Sequence, residues 1–287
     1  MLRSMLFVPA DSQRKLEKSR ALAADALVLD LEDSVLPANK PLARQLMREH
    51  LASVDDLSRY WVRVNDLASG ELAADLAAVV PARPHGIVLP KILGPEDVAI
   101  AGHYLDVLEA EHGVPAGSIK LAVIVTETPA AVLRIGELVQ QAHPRIAALL
   151  WGAEDLSAAL GAADPRLPDG AWKPLYEQAR NTVLLAAGAL GVPAIDTVFV
   201  DLRNLDGLAA DSQRSRGDSF AGRVAVHPDQ VPVINAAYAP QAEEIALARR
   251  IVEALDKGDG AVAIDGKMYD IPHLKAARRL LEAAQAL

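Results

Sequence analysis

Acidic side chains gather at the ends of three short apolar runs in this sequence. The run that begins at Ala26 finishes with three carboxylates within four residues, and Glu32 and Asp33 are the last two. Two later runs finish at Glu127 and at Asp155. If these runs are parallel strands, their carboxyl ends meet on one face and the carboxylates converge there. Converged carboxylates repel one another unless protons or a cation intervene, so the pattern indicates a divalent metal site.

Glu127 and Asp155 are the predicted metal ligands. They follow adjacent predicted strands. Mg²⁺ in proteins takes one or two carboxylates, while water and substrate complete its octahedron. Mn²⁺ suits the same oxygen donors and is the alternative ion.

A basic side chain and a helix start supply the predicted substrate contacts. Arg63 ends another apolar run, and its planar guanidinium suits a carboxylate or a polarised carbonyl oxygen. The segment Gly152, Ala153 and Glu154 opens toward a helix, so its free N–H groups would hold a substrate carboxylate. The side chain of Glu154 itself is better explained as solvated.

Structural interpretations of the same residues stay open. Asp30 lies inside its apolar run and is explained equally well as a buried acid bonded to backbone or water. Glu32 and Asp33 are suitable caps for the turn that follows. Arg63 is a suitable partner of Glu32 in a structural salt bridge. Lys91 is either a satisfied strand-end lysine or a ligand contact.

Strand-like and helix-like segments alternate along the chain, which predicts an α/β protein. The predicted strands cover residues 4–8, 26–33, 60–64, 86–90, 120–126, 146–151, 193–200 and 222–226. Strands in that number, separated by helices, are typical of a (β/α)₈ TIM barrel. An open doubly wound sheet is the alternative, but no glycine-rich dinucleotide fingerprint follows the first strand. We therefore predict the barrel.

The chain is predicted to continue beyond the barrel. Its 287 residues suit either one α/β barrel or two smaller domains. Residues 1–240 form the predicted catalytic barrel, and residues 241–287 form a C-terminal helical extension and lid. We expect this extension to pack on a neighbouring subunit or to cover the active face.

Composition excludes several classes of protein. The chain has no cysteine, which excludes disulfides, zinc–thiolate sites and thiol nucleophiles. A net charge of −9 and an aromatic content of 4% disfavour nucleic acid as a partner. No apolar run approaches membrane-spanning length, and the N-terminus lacks the features of a secretory signal. We therefore expect a cytoplasmic protein that acts on a small molecule, with no nucleic-acid or membrane partner.

An ordered set of short motifs resembles one known family. The motifs are Arg3-Ser-Met-Leu-Phe-Val-Pro9, the stretches 25–34 and 40–44, Val62-Arg-Val-Asn65, Val88-Leu-Pro-Lys91, Glu127-Thr128, Gly152-Ala-Glu-Asp-Leu156, Val226-His-Pro-Asp-Gln230 and Asp265-Gly-Lys-Met-Tyr-Asp270. Each motif alone is weak, but together they span nearly the whole chain in order. The sequence is similar to the citrate lyase β-subunit-like branch of the HpcH/HpaI aldolase family, which includes malyl-CoA and citramalyl-CoA lyases.

The resemblance implies a Mg²⁺-dependent carbon–carbon lyase that acts on a 3-hydroxyacyl thioester. Glu127 and Asp155 fall where the family holds its metal. Arg63 falls where the family contacts the oxygen of the 2-oxo acid or of the thioester carbonyl. Glu32 and Asp33 match acids that hold metal-bound water and are implied to serve catalysis.

The resemblance also gives the C-terminal extension a role. Asp270 matches an aspartate on a lid that reaches the active site of the adjacent subunit, so it is the implied catalytic acid or base. Family members are commonly trimers, which implies a homotrimer or a higher homo-oligomer. The implied reaction is a retro-Claisen cleavage, in which the hydroxyl loses its proton, the carbon–carbon bond breaks and the acyl-CoA enolate is protonated.

Basic residues near two strand ends are the predicted coenzyme A contacts. Arg14 and Lys15 follow the first strand on a predicted helix, and His227 follows the eighth strand. Exposed bases on an amphipathic helix are, however, usually its solvated face, and His227 serves packing equally well.

Three functions fit these observations. The first is an acyl-CoA lyase that releases acetyl-CoA and a 2-oxo acid from citramalyl-CoA or malyl-CoA. The second is a citrate lyase β subunit that acts on a carrier-protein thioester, or a thioesterase for the same substrates. The third is a non-catalytic barrel scaffold, which the filled acidic and basic positions disfavour.

Overall fold

The computed structural model describes residues 2–256 and 260–285 of the chain. Contacts divide the chain into two compact units, with the boundary between Ala237 and Tyr238. Within the described ranges, no helix combines the length and apolar character that a membrane crossing requires.

Eight parallel strands of the first unit close into a barrel, each pairing with the next and the eighth with the first. They are β1 (Ser4–Pro9), β2 (Ala26–Asp30), β3 (Tyr60–Arg63), β4 (Gly86–Leu89), β5 (Lys120–Ile124), β6 (Ile146–Leu150), β7 (Ala194–Asp196) and β8 (Gly222–Ala225). β4 and β2 are buried throughout, which explains their apolar runs, and only the last residue of β2, Asp30, is charged. The prediction of a (β/α)₈ TIM barrel is confirmed.

Helices alternate with these strands along the chain. They are α1 (Gln13–Ser19), α2 (Lys40–Ala52), α3 (Leu72–Val79), α4 (Pro95–Glu111), α5 (Pro129–Gln140), α6 (Ala153–Ala159), α7 (Pro174–Leu190), α8 (Leu205–Gly217) and α9 (Gln230–Tyr238). Proline begins α4, α5 and α7, where its missing N–H costs nothing and its fixed φ suits the helix. The side chain of Thr128 caps α5 by accepting from the N–H of Ala131 at 3.1 Å.

Three strands that lead into the site end at least two residues earlier than the sequence pattern predicts. β2 ends at Asp30 rather than at Asp33, β5 ends at Ile124 rather than at residue 126, and β7 ends at Asp196 rather than at residue 200. The Asp30 carboxylate accepts hydrogen bonds from the N–H groups of Glu32 (3.0 Å) and Ser34 (3.3 Å), which turns the chain out of the sheet. Glu32 and Asp33 therefore lie in the turn after β2 and not on the strand.

A tryptophan and a glycine share space inside the barrel. Trp61 of β3 is 1% exposed, and Gly86 lies beside it in the register of β3 and β4. A Cβ at Gly86 would overlap the indole and would lie 2.6 Å from the carbonyl oxygen of Lys120 on β5. The absence of a side chain at position 86 therefore makes room for the indole. The buried core around it comprises Met5, Ala26, Val28, Trp61, Val88, Ala122, Ile124, Ala148, Leu150, Ile195 and Val224.

The second unit is a hairpin between two helices. Its elements are α10 (Ala242–Leu255), β9 (Ala261–Ile264), β10 (Lys267–Asp270) and α11 (Ile271–Gln285). Between the antiparallel strands, Asp265 (φ 51°) and Gly266 (φ 76°) take the left-handed conformations of a tight hairpin turn. Ile251 and Leu274 belong to the unit's own apolar cluster. The predicted lid function of this region stays a prediction.

Gly86→Ala should destabilise the protein because the added Cβ meets backbone of β5 and the buried indole of Trp61. We expect a loss of about 1–3 kcal/mol in the free energy of unfolding, measured by urea denaturation. Gly136→Ala on the exposed face of α5 is the matched control, since a Cβ there meets nothing within 4 Å. The control should gain up to about 1 kcal/mol. Equal effects of the two substitutions would contradict this account of the core.

Candidate functional site

A cavity of about 210 Å³ lies at the carboxyl ends of the barrel strands, the face on which barrel enzymes place their sites. Side chains of Phe7, Ile124 and Leu150 give it an apolar part. Six of the residues that the sequence predicts for the site line this cavity, namely Arg63, Glu127, Gly152, Ala153, Glu154 and Asp155.

Arg63 is held by carboxylates from β2 and from the turn that follows it. Asp30 lies beside Arg63 in the register of β2 and β3. The carboxylate of Asp30 accepts from Nε and Nη2 of Arg63, both at 2.7 Å, and Glu32 Oε2 lies 2.8 Å from Nη1. The guanidinium also lies over the ring of Phe7, 4.7 Å from its centroid. The bidentate pair fixes the guanidinium plane, so Arg63 meets the cavity in one orientation.

Asp30 is a site residue that the sequence left undecided. The salt bridge between Arg63 and Glu32 is present, but the bidentate partner of Arg63 is Asp30. Burial opposes ionisation of Asp30, yet the charge and hydrogen bonds of Arg63 hold its pKa below the ordinary value. Asp30 is therefore the charged anchor of Arg63 and not a solitary buried acid.

Lys91 joins acidic residues from three segments of the chain. Its ammonium contacts Glu32, and it lies 2.6 Å from Asp33 Oδ2 and 3.6 Å from Asp155 Oδ1. The backbone of Lys91 has a φ of 48°, and its N–H donates to Glu127 Oε2 at 2.6 Å. Lys91 therefore contacts both predicted metal ligands, a role that the sequence could not separate from that of an ordinary strand-end lysine.

Glu127 is a buried carboxylate whose charge needs compensation. It is 4% exposed, and burial together with the charges of Asp155 and Glu32 raises its pKa to about 8. Asp155 lies in the first turn of α6, with its side chain 34% exposed. A cation bound at these oxygens would remove both the repulsion and the cost of burial.

The number of carboxylates decides which metal would fit. Among the described residues, no group of three or more histidine, cysteine, aspartate or glutamate side chains is arranged to hold an ion. Glu127 and Asp155 therefore offer two carboxylates and no closed protein cage. That donor set suits Mg²⁺, which keeps several waters and substrate oxygens, better than it suits structural zinc.

The start of α6 differs from the prediction of free backbone donors. The N–H of Gly152 donates to Thr126 Oγ1 (2.9 Å), and the N–H of Ala153 donates to Thr197 Oγ1 (3.2 Å). These two groups are therefore engaged, because threonines from neighbouring segments reach them, and the expectation that both would be free was wrong. The N–H of Glu154, in the first turn, has no acceptor within the helix. Burial raises the pKa of the Glu154 carboxyl.

Position 152 requires glycine because the side chain of Glu127, a predicted metal ligand, lies beside it. A Cβ on Gly152 would lie 2.8 Å from Cγ of Glu127, closer than such atoms approach in folded proteins. Gly152 therefore serves the site through packing, since the missing side chain lets Glu127 lie against the start of α6.

Five predicted residues of the first unit do not line the cavity, namely Arg14, Lys15, Glu32, Asp33 and His227. Arg14 and Lys15 lie exposed on α1. His227 follows β8 with its side chain 43% exposed, and its Nδ1 lies 3.6 Å from Asp229 Oδ2. Asp270 belongs to the second unit, where its Oδ1 lies 2.6 Å from Nδ1 of His273. Coenzyme contacts and the acid or base role of Asp270 therefore stay predictions.

Comparison with known proteins identifies a family whose sequences match this chain. A model of the HpcH/HpaI aldolase/citrate lyase family matches residues 3–228, which include every cavity residue named above. The matched part therefore contains the carboxylates, Arg63 and Lys91.

Named relatives cover nearly the whole chain. A citrate lyase subunit beta-like protein of Mycobacterium tuberculosis is 35% identical, over 97% of this chain and 94% of its own. A (3S)-malyl-CoA thioesterase of Cereibacter sphaeroides is 33% identical, over 99% and 95%. The mitochondrial citramalyl-CoA lyase of Rattus norvegicus is 30% identical, over 99% and 86%.

A solved structure has the same fold along its length. The crystal structure of protein CitE from Mycobacterium tuberculosis, in complex with magnesium, acetoacetate and coenzyme A, superposes with a TM-score of 0.82. It is 33% identical, and the match covers 99% of this chain and 98% of that one.

Glu127 should make the cation-free protein less stable as the pH rises. In EDTA, its pKa of about 8 in the folded chain, against an ordinary 4.5, means that the folded state binds the proton more tightly. Stability should therefore fall between about pH 5 and about pH 8 by a few kcal/mol, since one pKa unit corresponds to about 1.4 kcal/mol. Glu127→Gln should remove this fall, measured by urea denaturation across the pH range.

Glu49→Gln, at an exposed position of α2, is the control for this experiment and should keep the wild-type dependence on pH. An identical pH profile for wild type and Glu127→Gln would show that the carboxyl of Glu127 is not the group responsible.

Proposed function

Since the chain belongs to the HpcH/HpaI aldolase/citrate lyase family, we propose that it is a carbon–carbon lyase. Its proposed substrate is a 3-hydroxyacyl-CoA thioester of the citramalyl-CoA or malyl-CoA type, cleaved to acetyl-CoA and a 2-oxo acid. The family match confirms the resemblance drawn from the ordered motifs. The observation that carries the proposal is the cavity in which Arg63 lies with the carboxylates of Glu127 and Asp155.

Glu127 and Asp155 are the residues that would hold Mg²⁺, with Mn²⁺ as the alternative. The magnesium in the complex of the Mycobacterium tuberculosis relative supports this choice. When bound, the ion supplies Lewis acidity, which polarises substrate oxygens and lowers the pKa of a hydroxyl group.

Arg63 is the proposed electrostatic stabiliser of the reaction. Cleavage begins when a base, for which Asp270 is the candidate, takes the proton of the substrate hydroxyl. The oxygen then forms the carbonyl of the 2-oxo acid as the carbon–carbon bond breaks, and the electron pair of that bond passes to the thioester as an enolate. The guanidinium, locked in place by Asp30 and Glu32, would donate to the enolate oxygen without having to reorganise. A preorganised donor of this kind typically contributes about 3 kcal/mol to the transition state.

Three acidic residues have proposed roles in binding water or transferring protons. Glu32 and Asp33 would hold water next to the metal, and both contact the ammonium of Lys91, which also lies 3.6 Å from Asp155 Oδ1. Asp270 is the proposed acid that protonates the enolate carbon. It would enter the active site from an adjacent subunit of a homotrimer. A lid that excludes water would also protect the thioester from hydrolysis.

The remaining substrate contacts are proposed at the edges of the cavity. The first turn of α6, at Glu154, is placed to receive the substrate carboxylate through its N–H. Arg14, Lys15 and His227 are the proposed contacts of coenzyme A, and their exposure leaves them accessible to a large ligand. A cytoplasmic location stays a prediction.

Two other functions remain candidates on specific grounds. The similarity to a (3S)-malyl-CoA thioesterase favours hydrolysis of the thioester as the second candidate. The similarity to a citrate lyase subunit beta-like protein favours action on a carrier-protein thioester as a further one. Product analysis separates them, because a lyase yields acetyl-CoA with a 2-oxo acid, whereas a thioesterase yields free coenzyme A with the hydroxy acid.

Purified protein should cleave citramalyl-CoA or malyl-CoA when Mg²⁺ is present, and EDTA should abolish the cleavage. A panel of hydroxyacyl-CoA and carrier-protein thioesters, with the products resolved by mass spectrometry, is the measurement. Glu127→Ala should lose metal affinity and activity while keeping the fold, because it removes one of two ligands. Glu49→Ala, on the exposed face of α2, should retain both. Undiminished turnover in Glu127→Ala would reject the metal assignment.

Asp270→Asn should lower kcat by roughly 10²–10⁴-fold, as expected for loss of a general acid, while coenzyme A binding persists. Asp265→Asn in the same unit is the control, since Asp265 is exposed and pairs with Arg250. Mixed oligomers of Asp270→Asn and Glu127→Ala chains should regain activity if the acid comes from the adjacent subunit. Full activity in Asp270→Asn would remove this residue from the mechanism.

A further inference from the structure

Lys91 places its positive charge among the carboxylates around the proposed metal site. Its ammonium contacts buried Glu32, lies 2.6 Å from Asp33 and lies 3.6 Å from Asp155. Its backbone N–H donates to Glu127 at 2.6 Å. One residue thus contacts both proposed metal ligands and the two acids proposed to hold water.

The main chain holds Lys91 in this place. A φ of 48° is a left-handed conformation that side-chain-bearing residues adopt uncommonly. Because this conformation aims the N–H at Glu127 while the side chain reaches Glu32 and Asp33, the backbone and the ammonium act on the same cluster.

Lys40 is a nearby lysine whose ammonium makes structural contacts, and it provides a comparison for Lys91. Lys40 Nζ donates to the carbonyl oxygens of Leu31 (3.0 Å) and Glu32 (3.2 Å) and to the amide oxygen of Asn65. All three acceptors are neutral, and none belongs to a proposed metal ligand. Among the residues that the structure describes, the ammonium of Lys91, in contrast, contacts carboxylate oxygens alone.

We infer that Lys91 is a positioning residue whose ammonium competes with the divalent cation for shared carboxylates and so limits the affinity of the site. The inference rests on the proposed metal site at Glu127 and Asp155. A positive charge beside Asp155 repels an incoming dication and draws the carboxylates of Glu32 and Asp33 toward itself. Removing the charge makes the site more negative, so the cation binds more tightly.

Cation affinity of the full-length, metal-stripped protein tests this directly. Calorimetric titration with Mg²⁺, and then with Mn²⁺, is carried out without any thioester on the wild type and on Lys91→Met, which keeps length but not charge. We expect the dissociation constant to fall by about tenfold or more in the variant. The rise in melting temperature on adding Mg²⁺ should grow accordingly, since tighter binding to the folded state stabilises it further.

Two further variants keep the test decisive. Lys91→Gln also removes the charge but keeps an N–H donor in the side chain. It should bind the cation more tightly than the wild type does, and it provides the test if Lys91→Met fails to fold. Lys91→Arg keeps the charge and should stay near the wild-type affinity. Lys120→Met is the control, because Lys120 lies at the start of β5 and its Nζ donates to the carbonyl of Gly117.

Unchanged or weaker cation binding in the folded, neutral variants would overturn the inference. The measurement needs no substrate, so failure to cleave any thioester would count against the proposed reaction and leave this result standing. Conversely, the protein could cleave the thioester while Lys91→Gln binds the cation with wild-type affinity. That result would support the proposed function and reject the proposed competition between Lys91 and the cation.

Discussion

The site depends on compensation of negative charge at one end of a barrel. Asp30 and Arg63 lie side by side on β2 and β3, and their bidentate pair allows a buried guanidinium beside the cavity. Asp30 also accepts from the N–H groups that turn the chain after β2, which puts Glu32 within reach of both Arg63 and Lys91. If Asp30 lost its charge, the guanidinium of Arg63 would lose its bidentate acceptor, and the turn that carries Glu32 and Asp33 would lose the carboxylate that accepts from its N–H groups.

A second ion-pair network supports the opposite wall. Asp196 at the end of β7 accepts from Nε1 of Trp151 at 2.5 Å and from Arg223 of β8 at 2.6 Å. Trp151 packs edge-on against Trp172, with ring centroids 4.8 Å apart, and lines the cavity immediately before α6. The buried charge of Asp196 thus holds Trp151 immediately before the helix that carries Asp155 begins.

The sequence predicted the barrel because alternating apolar runs and helices leave few other topologies. Each run was long enough to be identified as a strand. It also predicted that Glu127 and Asp155 converge, because parallel strands bring their carboxyl ends to one face. What it could not supply were contacts that depend on exact register or backbone conformation. The pairing of Asp30 with Arg63, the positive φ of Lys91 and the threonine acceptors at the start of α6 are of this kind. The proposed role of Asp270 involves an adjacent subunit, so it follows from the family resemblance and not from the pattern of one chain.

The glycine at the start of α6 acts as a spacer between two segments that would otherwise be independent. Since a methyl group on residue 152 would lie 2.8 Å from Cγ of Glu127, any larger residue would push apart the segments that follow β5 and β6. For the proposed cation held by Glu127 and Asp155, the separation of the two carboxylates would then increase. A wider site would favour Ca²⁺ over Mg²⁺, because Ca²⁺ accepts longer and more flexible contacts with oxygen.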